Sequence, residues 1–363
     1  MRVLLVEPDY YTRYPPLGLL KLASYHRSRG SEVRLVHGCE DLYQFEPDRI
    51  EVTSLFTYAW KPVHVAIDFF QKEFAEADMR AGGIYSSLLP RHLKSVFPNI
   101  MVHKGLFNEA EMYLPAYDLL DDSKKWRDWD TSIIFTSRGC IRRCPFCVVP
   151  RIEGKLKSVI TDVQQYLYPD YKKVTIWDNN FLASANWKKI LNDLRDIGLI
   201  VDFNQGLDAR LIDEEKAAML ADFKLPMIRM AYDTPDQKQS IEKAVEILSD
   251  QGIRRRNMSF YVLFNFFDPK GGSGDTPISF LDRIRFIADL GCVSYPMRYE
   301  PPDSLEKNYF ISPFWTPEQL ELVARARRVI GFGGAFPPYE GLVRKFDSAP
   351  TLEDAMSLRS VVV

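Results

Sequence analysis

Short apolar runs recur along this chain, and stretches with helical periodicity separate them. RVLLV (2–6), VRLV (33–36), IEVTSLF (50–56), MRAGG (79–83) and IMVHKG (100–105) read as strands. LGLLKLASYHRSR (17–29), VHVAIDFFQKEFAEA (63–77) and LLPRHLKSVF (88–97) read as helices. Gly30 is a stop signal for the first of these, and a proline stands near the start of the third. Strands alternating with helices predict a parallel sheet covered on both faces. This first domain is expected over 1–120. The polar stretch LLDDSKKWRDWD (119–130) then predicts a linker, placed at 121–131.

The pattern restarts beyond it. Strands are predicted at SIIFTS (132–137), KVTIWD (173–178), LIVDFN (199–204), MIRMAYD (227–233), MSFYVLFN (258–265) and VSYPMRY (293–299). The helical segments are 159–167, 186–198, 213–223, 236–252 and 277–291. Six βα repeats with right-handed crossovers predict an open or partial barrel over 132–300. A C-terminal extension, 301–363, carries a further helix at 316–330.

Composition narrows the class. Of the 363 residues 46% are hydrophobic and 26% charged, the balance of a globular protein rather than a disordered one. Lys+Arg 47 against Asp+Glu 49 gives a net charge of −2, so no global field draws the chain to nucleic acid or membrane. No apolar run approaches the ~18 residues of a membrane span. The start, MRVLLVEPDYY, lacks a signal peptide's basic head and long apolar core, and the expected compartment is the cytoplasm. All five histidines precede residue 104, so chemistry further along must do without imidazole.

Five cysteines, an odd number, do not read as a disulfide framework. Three of them, Cys140, Cys144 and Cys147, fall within TSRGCIRRCPFCVVPRIEGK (136–155), on a loop after the first barrel strand. Thiolates are soft ligands suited to zinc or an iron–sulfur cluster. Structural zinc ordinarily takes four ligands, and the other two cysteines, Cys39 and Cys292, are remote in sequence. Three thiolates on a cubane cluster would leave one iron open to another ligand.

This Cys-x3-Cys-x2-Cys loop, with Phe146 before its third cysteine, resembles the radical S-adenosylmethionine (SAM) superfamily. The resemblance implies a 4Fe–4S cluster on Cys140, Cys144 and Cys147, with SAM on the fourth iron. It also implies one-electron cleavage to a 5′-deoxyadenosyl radical, and a reducing partner such as flavodoxin or ferredoxin. Residues 6–36 and 81–98 resemble the cobalamin-binding domain that precedes many such cores. The two resemblances cover about 1–300. They imply an α/β protein: an N-terminal flavodoxin-like (Rossmann-type) parallel-sheet domain, then a partial (βα)6 radical SAM barrel. The cobalt-ligating Asp-x-His-x-x-Gly motif of that family is absent. Cobalamin, and with it methyl transfer, therefore stands beside a flavodoxin-like domain used for packing or substrate access. If a nucleotide-like tail binds, Gly82, Gly83 and Ser54 would face it.

Function in βα barrels sits at the C-terminal ends of the strands. Those ends carry Asp178, Asn179 and Asn180, then Asn204, Gln205 and Arg210, then Asp233, Asn265 and Arg298. With Phe146 they are the candidate cofactor-binding residues; Arg210 or Arg298 could hold the SAM carboxylate in a bidentate pair. The cysteine loop is basic, with Arg138, Arg142, Arg143, Arg151, Lys155 and Lys157 against Glu153. An anionic small molecule or a nucleic acid would suit it as substrate. The competing reading is a non-catalytic zinc- or cluster-binding module that recognises nucleic acid. The glycine-rich PKGGSGDTP (269–277) predicts a mobile lid. GFGGAF (331–336) lacks the spacing of a dinucleotide fingerprint.

Overall fold

The first sheet is built from strands whose alternate side chains face opposite layers. The computed structural model describes residues 1–42, 44–331 and 339–358, so most of GFGGAF lies outside the described residues. Strands β1 (Arg2–Glu7), β2 (Glu32–His37), β3 (Arg49–Ser54), β4 (Asp78–Gly83) and β5 (Met101–Val102) pair in parallel in the order β2-β1-β3-β4-β5. This is the flavodoxin-like order. Leu4, Val6, Ile50, Val52, Met79 and Ala81 share one core. Val63, Ile67 and Phe70 of α2 (Trp60–Glu73) and Leu93 of α4 (Pro90–Val96) complete it. Val3 and Leu5 point the other way, onto Leu19 and Ala23 of α1 (Leu17–Arg27). The proline expected inside one helix divides two: α3 (Ile84–Leu88) ends before it, and Pro90 opens α4, where its missing N–H costs nothing. A short α5 (Asn108–Glu111) follows β5.

Cα packing divides the chain into two units, each discontinuous in sequence. The first comprises Met1–Arg142, Cys147–Val174 and Pro302–Lys307; the second comprises Arg143–Phe146, Thr175–Pro301 and Asn308–Val363. Within the stretch read as a linker, Leu120 and Trp126 are buried. The six residues 302–307 join the first unit through specific contacts. Thr57 Oγ1 donates to the Pro302 carbonyl (3.1 Å), Trp60 Nε1 to the Leu305 carbonyl (3.2 Å), and Leu305 packs on the α2 core.

The first unit also holds β6 (Thr131–Ile134), β7 (Ser137–Arg138), the single-turn α6 (Val149–Ile152) and β8 (Lys157–Ser158), which pairs antiparallel with β7. The helix expected at 159–167 is a correction: only Gln164–Tyr166 turns, as a 3-10 helix. Val159 and Ile160 instead donate their backbone N–H groups to the Thr136 carbonyl, and the β-branched run Val159-Ile160-Thr161 is a weak helix former.

Strand β9 (Lys173–Ile176) continues into the second unit beside β10 (Ile200–Phe203). There β11 (Ile228–Ala231), β12 (Met258–Phe264) and β15 (Val293–Arg298) form a parallel sheet in the order β11-β12-β15. The intervening helices are α7 (Trp187–Ile197), α8 (Glu214–Ala221), α9 (Lys238–Asp250) and α10 (Pro277–Asp289), and α11 (Pro317–Gly331) follows β15. In chain order this is the βα series of a partial barrel. Residues 267–274 are a hairpin of β13 (Phe267–Asp268) and β14 (Ser273–Gly274) rather than an unanchored loop. Among the described residues no helix is long and apolar enough to cross a membrane.

Candidate active site and cofactor cavity

The cysteine loop leaves β7 through a position only glycine can hold. Gly139 has φ +77°, and a Cβ there would lie 2.3 Å from the Lys155 carbonyl oxygen. Its N–H donates to Glu153 Oε2 (2.8 Å), and Cys140 bridges to Lys155 in parallel fashion. The start of the loop is therefore fixed by backbone contacts on the strand that returns from it. The Arg142 N–H donates to Cys140 Sγ (3.3 Å), as it would to a thiolate. No disulfide involves any of the five cysteines. Among the described residues, no three His, Cys, Asp or Glu side chains converge as ligands of a single metal ion. A cubane cluster asks for something else, since each thiolate binds a different iron. Three thiol-bearing residues on one backbone-anchored loop are a donor set that fits it.

The strand-end residues of the second unit fall into two groups. Asn180 and Asp233 lie close to Arg210. Asp208 Oδ1 accepts from Arg210 Nε (2.6 Å) and Oδ2 from its Nη2 (3.1 Å), and Asn180 Nδ2 donates to Asp208 Oδ2 (3.2 Å). Burial alone would lower the Arg210 guanidinium; bonded Asp208, with Cys144 and Asp236 near enough to act on it, raises it instead. Asp178 and Asn180 are buried, Asn179 and Asn204 half-buried, and Gln205 is exposed, its Nε2 donating to Asn204 Oδ1 (3.3 Å). Burial pushes the Asp233 carboxyl up to about 6, against the pull of Arg283 and Arg210. Phe146 meets Phe266 edge to face at 5.6 Å, and Phe266 meets Tyr299 at 5.0 Å.

The other two candidates bond to the backbone of a later segment. Asn265, fully buried at φ +67°, donates to the Phe310 carbonyl (3.0 Å) and accepts from the Ser312 N–H (2.9 Å). Arg298 Nη2 donates to the carbonyls of Asn308 and Phe310 (both 2.9 Å). Both pin the segment 308–312. The expected lid is anchored likewise at its far end. Asp275 is buried against Arg283, and burial pushes its carboxyl up to about 7 despite that partner. Trp315 Nε1 donates to the Asp275 carbonyl (2.7 Å), and a Cβ on Gly274 would meet the Phe266 carbonyl oxygen at 2.6 Å.

The first unit carries a partly open cavity of about 310 Å³. Helix α1 covers β1 and β2, but on the same side of β3 and β4 the sheet presents Glu51, Thr53, Arg80 and Gly82. The rest of the wall includes Lys21, His103, Phe107, Glu111 and Arg138. His26 Nε2 lies 3.1 Å from Glu51 Oε1. Both glycines of the pair line the space, and Gly83 (φ +94°) is also held against Ser54, where a Cβ would lie 2.1 Å from the carbonyl oxygen. Ser54 is turned into that corner, donating to the Gly82 carbonyl (2.6 Å) and accepting from the Ser86 N–H (3.0 Å). Sequence reasoning missed Lys21, Glu51, Arg80 and Glu111. The signal was present: a strand covered on both faces reads as continuously apolar, but Ile50-Glu51-Val52 and Met79-Arg80-Ala81 alternate.

No protein-family model matches the chain. Its fold is similar to that of a radical SAM methyltransferase, TsrM, from Kitasatospora setae, solved with tryptophan substrate and a SAM analog (aza-SAM) bound. The TM-score is 0.60 at 16% identity, covering 90% of this chain and 76% of that one. It is also similar to OxsB, a cobalamin-dependent SAM radical enzyme solved with aqua-cobalamin. There the TM-score is 0.59 at 16% identity, over 80% of this chain and 51% of that one. In sequence, 135 residues are 23% identical to tRNA-2-methylthio-N(6)-dimethylallyladenosine synthase of Fusobacterium nucleatum subsp. nucleatum. That match spans 34% of this chain and 30% of the enzyme's length. These likenesses bear on the fold: a Rossmann-like α/β domain joined to a partial βα barrel.

Proposed function

We propose that this chain is a radical SAM enzyme. The observation that carries the reading is the Cys140-x3-Cys144-x2-Cys147 loop, anchored at Gly139 and set at the head of a βα series. Cys140, Cys144 and Cys147 would hold a 4Fe–4S cluster with one iron left for SAM. The chemistry supplied by the bound cluster is one-electron reductive cleavage of SAM to methionine and a 5′-deoxyadenosyl radical, which abstracts hydrogen from substrate. The electron would come from a flavodoxin- or ferredoxin-type donor of the cytoplasm.

The remaining roles belong to the chain's own side chains. Arg210, held in place by Asp208, presents its charge toward Cys144 and is suited to the SAM carboxylate. Asp178, Asn179, Asn180, Asn204 and Gln205 offer amide and carboxylate groups for the SAM ammonium and ribose. Phe146, held by Phe266, offers an apolar surface. Asp233, its carboxyl raised by burial to about 6, would keep a proton in mildly acidic conditions and release most of it by neutral pH. Anaerobic reconstitution with iron and sulfide, followed by reduction in the presence of SAM, is expected to yield 5′-deoxyadenosine. Stoichiometric zinc with no 5′-deoxyadenosine would favour the nucleic-acid-binding module instead.

A second reading, cobalamin-dependent methyl transfer, is supported by the first-unit cavity and by the cobalamin-dependent structural neighbour. A cavity of about 310 Å³ admits only part of so large a cofactor, and Gly82 leaves room for a tail beside the sheet. Four of the five histidines are engaged within the fold: His26 with Glu51, His37 with Glu7, and His64 and His92 with Tyr85. The fifth, His103, lines the cavity, packed edge to face on Phe107. Titration with hydroxocobalamin tests this reading: because the Asp-x-His-x-x-Gly motif is absent, a spectrum without histidine ligation is expected if it binds, and one unchanged in His103→Ala.

A further inference from the structure

Two cations and two carboxylates are buried together beneath the start of the cysteine loop, all within the first unit. Arg138 donates from Nε and Nη2 to the two oxygens of Glu111 (2.9 Å each) and from Nη1 to Glu153 Oε1 (3.2 Å). Lys21 Nζ donates to the Glu111 carbonyl (3.0 Å) and to its Oε2 (3.3 Å). The second oxygen of Glu153 holds the Gly139 N–H, one residue before Cys140. The Arg138 guanidinium also lies 3.3 Å from the Phe135 ring centroid. Side-chain exposures are 5% for Lys21, 10% for Arg138 and 13% for each glutamate.

Stability alone does not account for this quartet. Desolvating four charges offsets most of their mutual attraction, and apolar replacements of equal volume are often as stable. What the ionic version adds is placement of charge. Reduction adds one negative charge to an iron–sulfur cluster, so a nearby fixed anion opposes it and a nearby cation favours it. Arg138 and Lys21 would favour reduction, and Glu111 offsets both through direct contact.

We propose that Glu111 is a positioning and tuning residue for the cluster, an inference that rests on the radical SAM reading above. Through Arg138 it orders the backbone that carries Cys140, and its charge holds the cluster's reduction potential down. From one carboxylate Glu111 touches both cations, Arg138 and Lys21.

The test is an anaerobic potentiometric titration of the reconstituted full-length chain, followed by electron paramagnetic resonance of the reduced cluster. Glu111→Gln leaves two buried cations under-compensated and is expected to shift the midpoint potential upward. Lys21→Met is expected to shift it downward, and the double variant to return it toward the parent. Glu109→Gln, on the exposed side of α5, is expected to leave it in place. Unchanged potentials in Glu111→Gln and Lys21→Met, or shifts of the same sign in both, would overturn the proposal. If Glu111→Gln does not fold, Lys21→Met and the double variant carry the same test. A parent protein that takes up no iron would overturn the cluster reading itself, and this inference with it.

Discussion

Replacing Asn265 separates a structural role from a cofactor role, because the two make opposite demands. Its side chain accepts from the Ser312 N–H and donates to the Phe310 carbonyl, all at a position with no solvent exposure. Asn265→Ala strands the buried Ser312 N–H, costing about 1–3 kcal/mol, and weakens the Phe310 carbonyl's bonding by roughly a further 1 kcal/mol. Alanine also tolerates φ +67° less well than asparagine, adding about 1 kcal/mol. The expected loss is about 3–5 kcal/mol, a large share of the ~5–15 kcal/mol typical of a folded domain. Asn265→Gly loses the same bonds without the backbone strain, and should be roughly 1 kcal/mol better than alanine. Urea denaturation measures both. Calorimetric titration of the folded variant with SAM, at low temperature, should show near-parental affinity. Parental stability within about 0.5 kcal/mol, together with a tenfold loss of SAM affinity, would refute the argument and return Asn265 to the cofactor.

Three further outcomes are expected. Cys140→Ala, Cys144→Ala and Cys147→Ala should each abolish 5′-deoxyadenosine formation and lower bound iron, whereas Cys39→Ala and Cys292→Ala should retain both; activity surviving in any of the first three would remove that cysteine from the ligand set. Gly139→Ala puts a Cβ 2.3 Å from the Lys155 carbonyl oxygen and should cost about 2–4 kcal/mol of stability or release the loop and its iron, read by denaturation and iron content. For Asp233, burial raises the folded pKa from 3.8 to about 6, so the folded state keeps a proton that the unfolded chain releases. That stabilisation is complete below about 4 and is lost as pH rises through about 6. Asp233→Asn should therefore lose less stability than the parent between those values, and an equally steep decline would count against a protonated Asp233.

Much of the architecture could be read from the sequence because its strands are short apolar runs, and such runs fix a buried strand almost unaided. Where local preference and packing disagreed, the reading failed. Residues 159–167 have helix-like spacing, yet Val159 and Ile160 bond to the carbonyl of Thr136, in the bend between β6 and β7. The spacing of Cys140, Cys144 and Cys147 is readable in the sequence because it is local. The cluster around Arg138 is not readable in this way, since Glu111, which binds it, lies 27 residues away along the chain, and Lys21, which Glu111 also binds, lies 117 away. Only tertiary contacts separate Arg210, near Cys144, from Asn265 and Arg298, which hold backbone.

The segment Pro302–Lys307 makes the first unit discontinuous, and this governs how the protein can be made or taken apart. The α2 core lacks Leu305, and Trp60 Nε1 lacks its acceptor, until a nascent chain has been synthesised past residue 307. The N-terminal unit therefore cannot complete its folding on the ribosome ahead of the barrel. A fragment ending at residue 174 should be a poor folder, and a synthetic 302–307 peptide would restore its missing contacts only at high concentration. Proteolytic nicking on either side of this segment would sever the chain without releasing a self-sufficient half.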